Sequence, residues 1–196
     1  MNAQVAHAPL EADAPYRFTY AEALRMAEAG VFDRDDGWGV ELIEGELIAV
    51  APQSLPHVAW KIWFTQRLML ALADQGWTVV PDSPLVANAR SGPEPDVYVF
   101  PSRVALKAMT PPDVALAIEI AQSSQDMDLK RKPGLYARYG IQEYWVADVP
   151  ERRIVVHRAG DGARYTDVRA YGAGERVAPL AFPEVVVAID DLPVVD

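Results

Sequence analysis

Two carboxylates and one basic run carry the residue types and spacing from which a reaction could be built. Asp96 lies in GPEPDVYVF, at the mouth of a β-rich run that follows a proline-containing turn. Glu119 sits inside AIEIA, a nearly continuous apolar run where a lone ionised carboxylate would be costly to bury without a partner or a metal. Taken singly, Asp96 also reads as a solvated turn residue and Glu119 as a strand end emerging into water. Taken together, two acids on adjacent strand ends are a standard way to hold a hard divalent cation through oxygen ligands. The run Asp128-Leu-Lys-Arg-Lys132 is the most basic stretch of the chain. Its plain reading is a solvated helix face with Asp128 and Lys132 paired at i, i+4. Its functional reading is a lysine that returns over the carboxylates to orient a water or to stabilise developing phosphate charge.

Composition limits the alternatives. There are no cysteines, so disulfides, thiolate zinc sites and cysteine nucleophiles are excluded. His7, His57 and His157 show no metal-ligand spacing such as HExxH, and His57, at a helix start, reads as a capping or packing residue. No run of roughly 18 apolar residues exists to span a membrane, and the N-terminus lacks the basic and apolar regions of a secretory signal. Cytoplasmic residence is therefore expected. The net charge of −10 is the wrong sign for long-range attraction to nucleic acid. A nucleic-acid function would need a local basic patch, a bound metal ion or a protein partner that supplies recognition.

The elements that must position these residues can be read from periodicity. At 196 residues, 51% hydrophobic and 23% charged, the chain is long enough for one domain with a full core. Residues 1–15 read as a flexible tail and 16–196 as a single domain. Thr19 and Glu22 form a capping box for a helix over 20–29. VELIEGELIAV reads as a hairpin turned at Glu44-Gly45, and residues 57–75 as the longest helix. WTVV, SPLVAN, DVYVF and DVALAIEIA read as strands, followed by a capped helix ending at Gly140 and the strand EYWVADV. A hairpin turned at Asp161-Gly162 and a last strand in AFPEVVVAIDDL complete the chain. The spacing predicts an α+β (α/β) fold, a mixed sheet flanked by two main helices, with additional β-hairpins. Trp60, Trp63 and Phe64 recur at helical spacing and read as core or an oligomer contact; Tyr144 and Trp145 should face opposite sides of the sheet.

The ordered set ELIEGEL, a His-containing helix start, PDVYVF, AIEIA, DxxxK and YARYGIQEYWVAD resembles the Uma-two restriction endonuclease family, in the PD-(D/E)XK nuclease-like superfamily. The resemblance runs from about Phe18 to Leu192. It implies a restriction-endonuclease-like core and metal-assisted phosphodiester hydrolysis. Asp96 and Glu119 match the paired metal-binding acids, and Glu41, in ELIEGEL, a further acid near the same pocket. Two residues after Glu119, where the superfamily usually has its lysine, stands Ala121; the resemblance moves that role to Lys132. Pro133 follows directly, and a proline disfavours helical geometry just before it, which makes Lys130 the substitute candidate. The implied cofactor is Mg2+, with Mn2+ able to replace it, and the implied partners are nucleic acid, DNA first, and a second copy of the chain. The competing expectation is a catalytically silent nuclease-fold scaffold, acting as a dimeric interaction or regulatory module.

Overall fold

A computed structural model describes residues 14–124 and 126–195. Residues 1–13, with His7 and most of the expected tail, lie outside the described residues. The elements follow in the order α1 (Tyr20–Glu28), β1 (Gly39–Ile43), β2 (Glu46–Val50), α2 (Leu55–Ala71), β3 (Trp77–Pro81), β4 (Val97–Pro101), β5 (Leu116–Ala121), α3 (Lys132–Tyr139), β6 (Tyr144–Asp148), β7 (Arg153–Gly160), β8 (Tyr165–Tyr171), β9 (Arg176–Val177) and β10 (Val187–Ala188). Strands β3 to β8 lie side by side in chain order in one six-stranded sheet. Every neighbouring pair in it is antiparallel except β5 and β6. A parallel pair cannot be joined by a tight turn and needs a crossover over one face of the sheet. That crossover carries residues 122–143, including the basic run.

Both faces of the sheet are covered, so its central strands are buried throughout. On one face, Trp60, Phe64, Leu68 and Leu72 follow one another at i, i+4 spacing and pack on Val97, Val99, Ile118, Ile120 and Trp145. The segment from β9 to Leu192 completes that layer, with Phe182 and Val187 among its buried side chains. On the opposite face, Tyr136 and Ala137 of α3 cover Tyr98, Ala117, Ala121 and Tyr144. Tyr144 and Trp145 therefore do face opposite sides, as alternation requires, and both are core because neither side of the sheet is open.

Local signals placed most of the elements. The Thr19–Glu22 capping box forms in both directions, and Glu44 and Gly45 both have positive φ, 50° and 81°, as a two-residue hairpin turn demands. Helix α2 begins at Leu55 rather than 57, because Ser54 caps it and Pro56 is tolerated in the first turn; it ends at Ala71, short of the expected 75. SPLVAN is not a strand: its backbone instead folds on the turn after it, with Leu85 N–H on the Pro93 carbonyl and Ala87 N–H on that of Ser91. The expected C-terminal strand shrinks to the two residues of β10.

The crossover departs most from the simple capped helix expected for it. Residues Met127–Arg131 form a π-turn, with the Lys132 N–H donating to the Met127 carbonyl, before α3 proper begins with Pro133 in its first turn. Proline has no N–H to donate, and its ring crowds the carbonyl four residues back, so the wider turn relieves the conflict. The Asp128 carbonyl, which Pro133 cannot serve, accepts from the buried Tyr144 hydroxyl at 2.9 Å. Gly140, at φ 81°, then ends α3 in the left-handed conformation. Replacing Tyr144 with Phe leaves that carbonyl without its buried donor, and we expect a loss of about 1–3 kcal/mol. Urea unfolding of Tyr144→Phe checks this; an unchanged midpoint would remove the hydroxyl from the account of the turn.

Candidate active site

The carboxylates meet where β4 begins. Val97 pairs with Ile118, and the same antiparallel register continued by one step sets Asp96 opposite Glu119. Strand β5 runs past the end of β4, so its next N–H on that side lacks a ladder partner. Asp96 supplies one: its Oδ2 accepts from the Ile120 N–H at 2.7 Å. Its other oxygen is 2.8 Å from His57 Nε2, on the first turn of α2. Both oxygens of Asp96 are thus fixed by atoms of rigid elements, and Asp96 is a buried site residue, not a solvated turn.

Glu119 projects to the α3 face. Its Oε1 accepts from Lys132 Nζ at 2.9 Å and from the Tyr136 hydroxyl at 2.7 Å; among the described residues no donor reaches Oε2. Lys132 Nζ also lies 3.4 Å from Asp128 Oδ1 and 3.6 Å from Glu41 Oε1. Asp128 is held in turn by the Ser124 hydroxyl. All five charged groups are buried, at 8% exposure for Glu41, 6% for Asp96, 3% for Glu119, 2% for Asp128 and 5% for Lys132. The solvated-helix-face reading of Asp128 and Lys132 is therefore corrected: the π-turn points this pair inward and leaves Lys130, bonded to Asp126, in water. Lys132, not Lys130, is the lysine at the carboxylates.

Glu41 is delivered by the β1–β2 hairpin. Its Oε1 accepts from the Glu94 N–H at 3.3 Å. The hairpin is pinned to the loop before β4 by the Glu44 N–H on Ser91 Oγ and the Gly92 N–H on the Leu42 carbonyl. A Cβ at Gly92 would stand 2.4 Å from the Tyr20 ring, so this close approach of α1 needs glycine there.

These side chains line a cleft of about 600 Å3. Six carboxylates and a single ammonium face it. Burial, reinforced by Asp128, Asp96 and Glu41 and opposed by Lys132, pushes the Glu119 carboxyl well above the usual carboxylate range. Burial works against the Lys132 charge as well, but Glu119, Glu41 and Asp128 outweigh it and hold the ammonium well above the ordinary lysine value. Burial and then Glu119 raise Tyr136 far enough that it remains a donor. The cluster thus has an excess of negative charge that one lysine does not balance. Its donors are all oxygen, the chemistry of a hard divalent cation. Among the described residues no three His, Asp or Glu side chains form a ready-made cage. The cleft instead offers a carboxylate pair, which fits Mg2+, an ion that keeps several of its waters and takes one or two carboxylates.

His57 was missed as a site residue. Its backbone does belong to the cap, donating to Ser54 Oγ at 3.3 Å, but its ring serves Asp96. Only the pairing of α2 with the start of β4 brings them together, across 39 positions. Tyr136 was missed for the same reason.

The raised Glu119 carboxyl has a signed consequence for stability without metal. Below about 4.5 the carboxyl is protonated whether the chain is folded or not; above it, the unfolded chain ionises freely and the folded one resists. Folded stability is therefore lost as pH climbs from that value. In EDTA the melting temperature of Glu119→Gln, relative to the parent, should rise progressively with pH above 4.5. Thermal scans across that range check it; a constant difference would show that Glu119 ionises normally.

Residues 21–191 match the model of the Uma-two family (Uma2, described as "Putative restriction endonuclease"). The fold is similar to the crystal structure of "a putative nuclease belonging to DUF820 from Anabaena variabilis ATCC 29413", with a TM-score of 0.69. That likeness has 17% sequence identity and covers 89% of this chain and 97% of the other, so it speaks for the fold alone. No curated protein matches the chain. Among the described residues no helix is long and apolar enough to cross a membrane.

Proposed function

The chain belongs to the Uma-two restriction endonuclease family, and on that premise we propose that it is a metal-dependent endonuclease that hydrolyses phosphodiester bonds of nucleic acid, DNA first. The observation that supports this most is Lys132 bonded to Glu119 beside Asp96 at the bottom of one acidic cleft. An interaction scaffold has no need of buried carboxylates and a buried lysine, whose desolvation opposes folding.

In this reading Asp96 and Glu119 hold Mg2+, or Mn2+ in its place, with Glu41 as a further acid and the Ile120 carbonyl as a neutral oxygen. Bound there, the ion would lower the pKa of a water and offset the charge of the scissile phosphate. His57 and the Ile120 N–H keep the Asp96 carboxylate in one orientation. Lys132 stays charged and is aimed by Glu119, placed to orient the attacking water or to stabilise charge developing on the phosphate oxygens. Tyr136 holds Glu119 from the side of the core.

The net charge of −10 favours a second reading, the catalytically silent scaffold that acts as a dimeric interaction module. If the chain cuts nucleic acid, a protein partner is the natural source of the attraction its own field lacks. Ion binding separates the two readings. Crystals soaked in Mn2+ should show an anomalous peak about 2.0–2.4 Å from oxygens of both Asp96 and Glu119. Cleavage should then be lost in Glu119→Gln, fall by about tenfold or more in Lys132→Ala with little change in ion affinity, and be unaffected in Lys130→Ala. Equal cleavage by Glu119→Gln and the parent would dismiss this site, and no ion at the carboxylates would favour the scaffold.

A further inference from the structure

The cleft has a wall that phosphodiester chemistry does not require. On the β1–β2 hairpin, residues of one face pair across the strands: Glu41 stands opposite Ile48, and Gly39 opposite Val50. The same face thus runs from a carboxylate at the floor to aliphatic side chains at the rim, and Trp38, which directly precedes β1, also lines the cleft. Trp38 is 44% exposed. The other four tryptophans are engaged: Trp60 donates to the Pro193 carbonyl, Trp145 to Glu143, and Trp63 and Trp77 pack edge-on against Phe64 and Phe182. Among the described residues, Trp38 has no ring partner, and its indole N–H has no acceptor. Its backbone is nonetheless held, by its N–H on Asp36, which is itself paired with Arg34. Gly37 and Gly39 flank it, so its chain neighbours put no side chain beside the ring.

We infer that Trp38 is a specificity-determining residue on which an unpaired nucleobase of the substrate strand stacks while the attached phosphate sits over Glu119 and Lys132. This rests on the nuclease reading and adds the substrate class to it: a single-stranded or extruded nucleotide. An aromatic platform stacks any base, since every base has a π-face. A base inside a duplex already has both faces covered by its neighbours and cannot give one to Trp38 unless it leaves the stack. Glu41, Asp96, Glu119, Asp128 and Lys132 are also recessed, at 8% exposure or less, so a phosphate must enter the cleft to reach them. A flexible unpaired strand does this more readily than a stiff double helix.

The test is binding, read by fluorescence anisotropy of labelled oligonucleotides with Ca2+ as the oxygen-ligated cation and strand integrity verified after each titration. The parent should bind a single-stranded oligonucleotide more tightly than its duplex and more tightly than the same strand with abasic sites. Trp38→Ala should weaken single-strand binding roughly 5- to 100-fold, the range for removing a stacking platform, and Trp38→Phe should restore most of it. Equal affinity of Trp38→Ala and the parent, or of abasic and intact strands, would overturn the inference, as would absence of binding to all three ligands. The abasic comparison uses the parent protein, so a folding defect in a variant cannot mask the result. Cleavage is not the readout, so a chain that binds in this way but cuts no better than Glu119→Gln refutes the nuclease reading and leaves the stacking platform standing.

Discussion

The Lys132 ammonium is out of water, and the arrangement around it is what makes that tolerable. An unpaired buried lysine would lose its proton or unfold the chain around it. Here it is kept charged by Glu119 at 2.9 Å, with Asp128 and Glu41 beyond. Each of those acids is in turn anchored to a different element: Glu119 to Tyr136 of α3, Asp128 to Ser124 and to the π-turn, Glu41 to the loop before β4. A side chain held this way cannot drift independently of the others, and such over-determination is what a site that orients a reacting group requires. The arrangement remains electrostatically unfinished, since the acids outnumber the lysine. An incoming cation therefore finds a favourable potential, and the cluster carries a cost in stability of the kind that functional sites impose.

The sequence foretold the partners on strands better than those on helices. Asp96 stands directly before β4 and Glu119 lies within the neighbouring β5, and alternation together with adjacency of sequential strands is enough to suggest that they meet. Lys132 was legible only as one of two lysines, because Pro133 blurred the direction of everything before it. The π-turn resolves that ambiguity by admitting one more residue than an α-turn would, and no pattern of apolar residues announces such an insertion. His57 was unreadable as a site residue: its neighbours in sequence are cap and core, and its partner belongs to another layer. SPLVAN, with its short apolar run, looked like a strand and became a looped connection, where local turn bonds replaced a ladder.

The acidic character of the molecule has two consequences that act at different ranges. At long range a chain of net charge −10 repels polyanions. At short range the same excess, gathered inside a low-dielectric cleft, sets a potential that favours cations, and a divalent ion held there would reverse the local sign. Recognition of a nucleic-acid strand would then depend on contacts that are not electrostatic, and the apolar wall of the β1–β2 hairpin is the surface beside the carboxylates that offers them.

The single parallel pair of the sheet also decides when the site can come into being. Glu41, Asp96, Glu119, Asp128 and Lys132 all precede β6 in the chain, yet β5 gains its parallel neighbour only when Tyr144–Asp148 has docked. Until then the crossover has only part of the sheet it lies on, and the Tyr144 hydroxyl that braces the π-turn is elsewhere. Such non-local closure is the slow part of folding. A growing chain on the ribosome thus holds every charged member of the cluster before it can assemble them. The activity proposed for this cleft would be withheld from nascent and partly folded forms, with fold completion serving as a temporal safeguard; pulse-labelled refolding, in which protection of the crossover should follow that of β6, would reveal this order.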